Sequence, residues 1–141
     1  MSSRYETDYY GWVKEQAELL ATKRFEELDL PMLEEEILSL AWNQKKYVEY
    51  HLKSLIFYLL LWQFQPYWRG REWKGAMSLL RLDLQHELED NKTLKDNIQD
   101  SIKDCYRTSL YRAQRAMGHE DLPAQCPYTF DQIMNDTFYP E

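Results

Sequence analysis

Histidine and cysteine are the residue types in this chain best suited to holding a metal ion. Five of them occur: His51, His86, His119, Cys105 and Cys126. A helical di-iron site needs two Glu-x-x-His pairs on facing helices, and only Asp83 with His86 comes near that spacing. Neither cysteine has a second cysteine at zinc-binding spacing. The sequence therefore predicts no metal site and no cofactor.

Clustered carboxylates are the next candidates for chemistry, because Glu34, Glu35 and Glu36 follow one another. Consecutive side chains point around a helix, so these three do not converge as a general acid–base pair must. The chain also has no glycine-rich phosphate loop and no nucleophile signature around either cysteine. We predict no catalytic residue and a protein that is not an enzyme. One alternative stays open, an enzyme of unrecognised type acting in a cleft near His51 or His86.

Aromatic and basic residues alternate in one short stretch, residues 62–74, which we call the aromatic–basic segment. Its members are Trp62, Phe64, Tyr67, Trp68, Arg69, Arg71, Trp73 and Lys74. Such residues bind single-stranded nucleic acid by stacking and charge, form hot spots on protein interfaces, or close the end of a helical bundle. The candidate interaction residues are Tyr67, Trp68, Arg69, Arg71, Trp73 and Lys74.

The charge layout weighs against bulk nucleic-acid binding, because the net charge is −7. Residues 51–117 nevertheless carry 11 basic and 8 acidic groups, a net +3, between two acidic ends. In the helix predicted near 94–117, acidic residues stand three positions before Lys103 and Arg107, which favours a solvated face of intrahelical pairs. Nucleic-acid binding through residues 62–74 and 94–117 remains an alternative.

Long helices must position these side chains, because the chain has only four glycines and five prolines. The predicted helices lie near residues 8–22, 31–64, 72–90, 94–117 and, as a short turn, 131–134. Apolar residues in the second helix step by three and four and predict a buried stripe: Leu33, Ile37, Leu40, Ala41, Gln44, Val48, Leu52, Leu55, Leu59 and Trp62. In the first helix, the same spacing places Tyr9, Val13, Ala17 and Leu20 inward.

These elements predict an all-α fold, a bundle of four main, mostly antiparallel helices in a single domain of residues 1–141. Gly118 is expected to end the fourth helix, and Thr129 with Gln132 has capping-box spacing before an ordered C-terminal wrap. The most apolar run, residues 55–62, is too short to span a membrane. The opening residues lack the apolar region of a signal peptide, and two unpaired thiols suit a reducing compartment, so we expect a cytoplasmic protein.

Four segments resemble, in order, a bacterial family called domain of unknown function 29. They are residues 5–12, residues 24–29 running into 33–37, residues 61–66 with Trp73, and residues 126–129. The resemblance covers nearly the whole chain and implies a helical cytoplasmic bacterial protein, but it brings no activity with it. We therefore predict a non-enzymatic protein that acts through an unnamed protein partner or through self-association as a homo-oligomer.

Overall fold

The computed structural model describes residues 4–141, and this part of the chain forms helices and turns without a strand, as the sequence predicts. The helices are α1 (Arg4–Thr7), α2 (Tyr9–Ala21), α3 (Leu30–Phe64), α4 (Arg71–Asp90), α5 (Lys92–Asp96), α6 (Ile98–Met117) and α7 (Phe130–Met134). Short 3₁₀ turns lie at Phe25–Glu27 and Pro66–Trp68. Four of these helices have 13 or more residues, and they correspond to the four main helices predicted.

The chain divides into two compact units, Met1–Gln44 and Lys45–Glu141. The first contains α1, α2 and the beginning of α3. The second contains the rest of α3 and every later helix. The prediction of one domain over residues 1–141 stays a prediction.

In the first unit, α2 buries a different face from the predicted one. The buried residues are Trp12, Gln16 and Leu19, whereas the residues predicted to point inward are exposed: Tyr9, Val13, Ala17 and Leu20. Two polar contacts hold the observed face. The indole nitrogen of Trp12 donates to the Asp29 carboxylate at 3.2 Å, and the Gln16 amide oxygen accepts the Asp29 backbone N–H at 2.8 Å. A count of apolar spacings misses this face because one of its members, Gln16, is polar.

Helix α3 begins where the sequence predicts, with Asp29 accepting a bond of 3.4 Å from the Met32 backbone N–H. Its apolar stripe is buried only in part. Leu55 and Leu59 have no exposed surface, while Ile37 and Leu40 are 62% and 70% exposed. The prediction that the whole stripe is buried is therefore wrong for the beginning of the helix. Spacing shows which side chains share a face, but not whether anything packs on that face.

The core of the second unit draws on α3, α4, α6 and the chain after α6. Apolar side chains of α4, α5 and α6 are buried or half-buried: Trp73, Met77, Leu80, Leu84 and Leu88, then Leu94, Ile98, Ile102, Cys105, Leu110, Ala113 and Met117. Tyr128 and Ile133 join this cluster from the C-terminal segment. The segment is therefore ordered against the core, in line with the predicted wrap.

The helix predicted over residues 94–117 is interrupted at Asn97, between α5 and α6. The Asn97 side-chain amide donates to the Thr93 carbonyl at 2.8 Å. Asparagine competes for backbone groups in this way, which favours a break over a continuous helix. Two later predictions are confirmed: Gly118 ends α6 with φ of 73°, and Thr129 and Gln132 form a capping box on α7.

Candidate functional site

A tight turn carries the exposed part of the aromatic–basic segment. Helix α3 ends at Phe64, and Pro66–Trp68 form a 3₁₀ turn before α4 begins at Arg71. Proline has no N–H for a continuing helix and fixes its own φ, so it favours a turn here. The Trp68 N–H donates to the Gln65 carbonyl at 3.0 Å and closes the turn.

Three aromatic rings of the segment belong to the fold. Trp62 is 8% exposed, and Phe64 and Trp73 are half-buried against the core. The Lys74 ammonium lies 5.6 Å from the centre of the Trp62 ring and 5.0 Å from that of Tyr139. These distances are typical of cation–π contacts. This part of the segment closes the end of the core, which is one of the three uses the sequence left open.

Arg69 fastens the turn to the rest of the second unit. Its Nε donates to the Trp62 carbonyl at 2.7 Å, and its Nη2 donates to the Pro140 carbonyl at 3.3 Å. Its guanidinium carbon lies 5.3 Å from the centre of the Trp62 ring. Both of these donors of Arg69 therefore bond to the chain itself, and the two bonds hold the turn in place.

Tyr67 and Trp68 project into solvent from this anchored turn. Tyr67 is 97% exposed and Trp68 is 72% exposed. Arg71 follows at the start of α4 and is also exposed. Of the six candidate residues, these three carry the outward surface, which we call the aromatic turn (Tyr67, Trp68 and Arg71). Arg69, Trp73 and Lys74 lie beneath or beside it in contacts within the fold.

Sequence reasoning missed Arg81, which is 1% exposed in the core of the second unit. Its Nε donates to the Ile133 carbonyl at 2.7 Å and its Nη2 to the Phe138 carbonyl at 2.9 Å. Burial lowers the pKa of its guanidinium, and the Tyr139 ring centre lies 5.6 Å away. In the sequence, the burial of Arg81 could have been predicted from its position four residues after Met77, on the inward face of α4.

The two histidines of the enzyme alternative, His51 on α3 and His86 on α4, lie in different surroundings. His51 is 7% exposed, and its Nδ1 lies 2.9 Å from the Tyr47 carbonyl. A carbonyl only accepts, so Nδ1 carries the proton and Nε2 faces Asp83, with 3.7 Å between Nε2 and Oδ2. Both ring nitrogens of His51 therefore face protein atoms. His86 is exposed on α4.

A half-open groove of about 890 Å³ lies between α6 and the chain that follows it. Apolar and charged residues line it together, among them Ile102, Lys103, Tyr106, Arg107, Cys126 and Tyr128.

Burial raises the pKa of the Cys126 thiol and raises that of Cys105 to about 12. Both thiols are thus protonated at neutral pH, which makes them poor nucleophiles. Among the described residues, no three His, Cys, Asp or Glu side chains gather as metal ligands would.

The intrahelical ion pairs predicted on α6 are not formed. Within the described chain, no contact of 4.0 Å or less joins Asp100 to Lys103 or Asp104 to Arg107. Exposed pairs at this spacing gain only about 0.2–0.5 kcal/mol, which does not force two flexible side chains together. Arg115 instead contacts the Tyr111 hydroxyl at 3.3 Å.

The comparisons with known proteins give one match, to a family. Neither the curated proteins nor the solved structures contain a match to this chain. From Arg4 onward, no helix is both long and apolar enough to cross a membrane. The family described as "Domain of unknown function DUF29" matches residues 4–139, a range that includes all four segments of the resemblance. The chain therefore belongs to the DUF29 family.

Proposed function

We propose that this protein is a non-enzymatic binding protein of the cytoplasm that docks a protein partner on its aromatic turn. The observation that carries the proposal is the exposure of Tyr67 and Trp68, at 97% and 72%, on a turn fastened from below. Residue type supports it as well, because Trp, Tyr and Arg dominate the hot spots of protein interfaces.

The anchoring by Arg69 favours binding on energetic grounds. Ordering a flexible loop on binding costs free energy, and a preorganised loop avoids part of that cost. Here the turn is already closed by its own backbone bond and held to the Trp62 and Pro140 carbonyls. A partner that covers Tyr67 and Trp68 would thus bury their apolar area without the entropy cost of ordering the turn.

The surroundings of the titratable groups support a non-enzymatic role. His51 has both ring nitrogens directed at protein atoms, and burial raises the pKa of both thiols. Both cysteines are free thiols, which suits the reducing cytoplasm.

Nucleic acid is the weaker candidate for the aromatic turn. A stacking platform for single strands combines aromatic faces with a basic groove along the backbone. In this segment Arg69 and Lys74 contact Trp62, Tyr139 and backbone carbonyls, so Arg71 is the one cation that the segment leaves outside such contacts. A net charge of −7 also opposes binding to phosphates.

Affinity capture from the native host, followed by mass spectrometry, tests the proposal. Three baits are compared: the wild-type chain, the double variant Tyr67→Ala with Trp68→Ala, and the control Tyr10→Ala. Tyr10 lies elsewhere and is 75% exposed, close to the 72% of Trp68. We expect a protein recovered by the wild type and the control to be lost with the double variant. With the purified partner, the double variant should bind at least about 30-fold more weakly, as hot-spot residues do.

Two results would contradict the proposal. One is the recovery of the same proteins by all three baits. The other is a salt-sensitive mobility shift with single-stranded DNA that the double variant abolishes, because this outcome assigns the aromatic turn to nucleic acid. Circular dichroism of each bait confirms that the fold is retained.

A further inference from the structure

A second exposed surface lies at the beginning of α3. Leu30, Ile37 and Leu40 are 63%, 62% and 70% exposed, and Leu33 between them is half-buried. Exposed leucine and isoleucine side chains are ordinary when they are scattered singly, but a contiguous set marks an interaction site. These four belong to one helix and stand within eleven residues of one another.

Their spacing is that of a helix that packs along another helix. Leu30, Leu33, Ile37 and Leu40 step by three, four and three residues. This alternation keeps one seam on one face, as in two-helix coiled coils. Leu38 and Trp42, 60% and 55% exposed, lie on other faces of the helix, so the seam is a single line of side chains. The surface is therefore elongated and suits a helix as its occupant.

Charge selects which helix can lie there. The cluster Glu34, Glu35 and Glu36 precedes Leu40, and Lys45 and Lys46 follow it on the same helix. Glu34 and Lys45 are eleven residues apart, which is close to three helical turns, so they flank the seam on the same side. Lys45 also lies 3.9 Å from the half-buried Glu49 carboxylate, a long contact within the same helix.

Two copies of this helix are complementary when they run antiparallel with Leu40 opposite Leu40. Each position then faces the position equally far on the other side of Leu40 in the second copy. Glu34, six residues before Leu40, meets the region of Lys45 and Lys46, five and six residues after it. In a parallel pair, by contrast, Glu34 would face the other flank of the second copy's seam, where Glu36 and Asn43 lie, and would meet no lysine. The antiparallel pair has two-fold symmetry, the commonest symmetry of soluble oligomers.

We propose that the Leu30–Leu40 seam of α3 is a homodimer interface, in which two copies of the chain pair their helices antiparallel about Leu40. This surface is separate from the aromatic turn, and the proposal does not depend on the proposed function. Each copy buries the seam of the other, and two Glu34–Lys45 contacts set the direction of pairing.

Sedimentation equilibrium over a range of concentrations tests the interface with a matched pair of variants. Leu40→Glu places two carboxylates at the symmetry axis, while Leu79→Glu alters a leucine of α4 with similar exposure, 60%. We expect a wild-type dimer whose dissociation constant rises at least about a hundredfold in Leu40→Glu, because two buried leucines are lost. The dissociation constant of Leu79→Glu should stay at the wild-type value. The proposal is overturned if the wild-type chain remains monomeric up to 1 mM, because a dissociation constant of about 1 mM is roughly the weakest that counts as specific association. It is also overturned if both variants have an equal effect.

Charge reversal tests the antiparallel direction. Glu34→Lys and Lys45→Glu should each weaken their own homodimers about tenfold, since two attractive pairs become repulsive. An equimolar mixture of the two variants should recover wild-type affinity, because every pair across that heterodimer is again of opposite charge. Failure of the mixture to recover affinity, while both variants remain folded, rules out the antiparallel arrangement.

Discussion

The Tyr9 hydroxyl donates a hydrogen bond of 2.7 Å to the Glu36 carboxylate, which lies 27 residues further along the chain. Tyr5 donates to the other oxygen of the same carboxylate. These bonds hold the pKa of Glu36 below its usual value and raise the pKa of Tyr5 to about 12. Tyr5, Tyr9 and Glu36 all belong to segments that resemble the family. Their hydrogen bonds tie α1 and α2 to α3, which gives these residues a structural role.

The lowered pKa of Glu36 predicts a loss of stability in acid. A carboxyl whose pKa is lower in the folded state stabilises the fold above its unfolded pKa, about 4.3. That contribution disappears as the pH falls through the folded value. We expect Glu36→Gln to lower the free energy of unfolding at pH 7, and the gap between the variant and the wild type to narrow at pH 3. Urea unfolding at both pH values measures it.

Glu35→Gln is the control for this prediction, because Glu35 is an exposed neighbour. It should leave the pH dependence of unfolding as it is in the wild type. A gap between Glu36→Gln and the wild type that is equally large at pH 7 and pH 3 would show that the two tyrosines do not stabilise the charged carboxylate.

Arg81→Met should destabilise the protein by about 2–4 kcal/mol, because it leaves buried carbonyls without their charged donor. Those carbonyls belong to Ile133 and Phe138, so the C-terminal segment should also become more sensitive to proteases. Urea unfolding and limited proteolysis measure the two effects. Arg71→Met, a change at an exposed arginine, should stay within about 0.5 kcal/mol of the wild type. Equal losses in both variants would mean that the buried guanidinium does not support the segment.

Alanine at two positions of the α3 stripe separates its covered and uncovered parts. Leu55→Ala should cost about 2–5 kcal/mol, because Leu55 is fully buried and its removal leaves a cavity. Leu40→Ala should cost less than about 0.5 kcal/mol when measured in dilute solution, since Leu40 is 70% exposed. Thermal or urea unfolding gives both values. A large loss for Leu40→Ala in dilute solution would show that the beginning of the stripe packs within one chain.

The buried thiol of Cys105 should be almost inert in the folded protein. Its pKa of about 12 leaves very little of the reactive thiolate at pH 8. In the variant Cys126→Ser, which leaves one thiol, we expect Ellman's reagent to react at least about 100-fold more slowly than in 6 M guanidinium, roughly the concentration that unfolds even very stable proteins. Similar rates in the two conditions would mean that Cys105 is accessible, contrary to its burial.

The sequence predicted the four main helices and several of their ends because these depend on residues close together in the chain. The start of α3 at Leu30, the left-handed stop at Gly118 and the capping box of Thr129 with Gln132 each arise within a few residues. Neighbouring residues do not show which side chains of the aromatic–basic segment are buried and which are exposed. That division depends on Arg69 reaching Pro140, which is 71 residues away.

By itself, the sequence determined an all-α chain and the approximate bounds of its main helices, because periodicity and local hydrogen bonds decide those features. Only the tertiary structure decided that Gln16 and Arg81 are buried while Leu40 is exposed. Burial depends on what packs against a face, and polar residues enter a core when a distant partner satisfies them. For Arg81 that partner is a carbonyl 52 residues away, a distance over which local spacing carries no information.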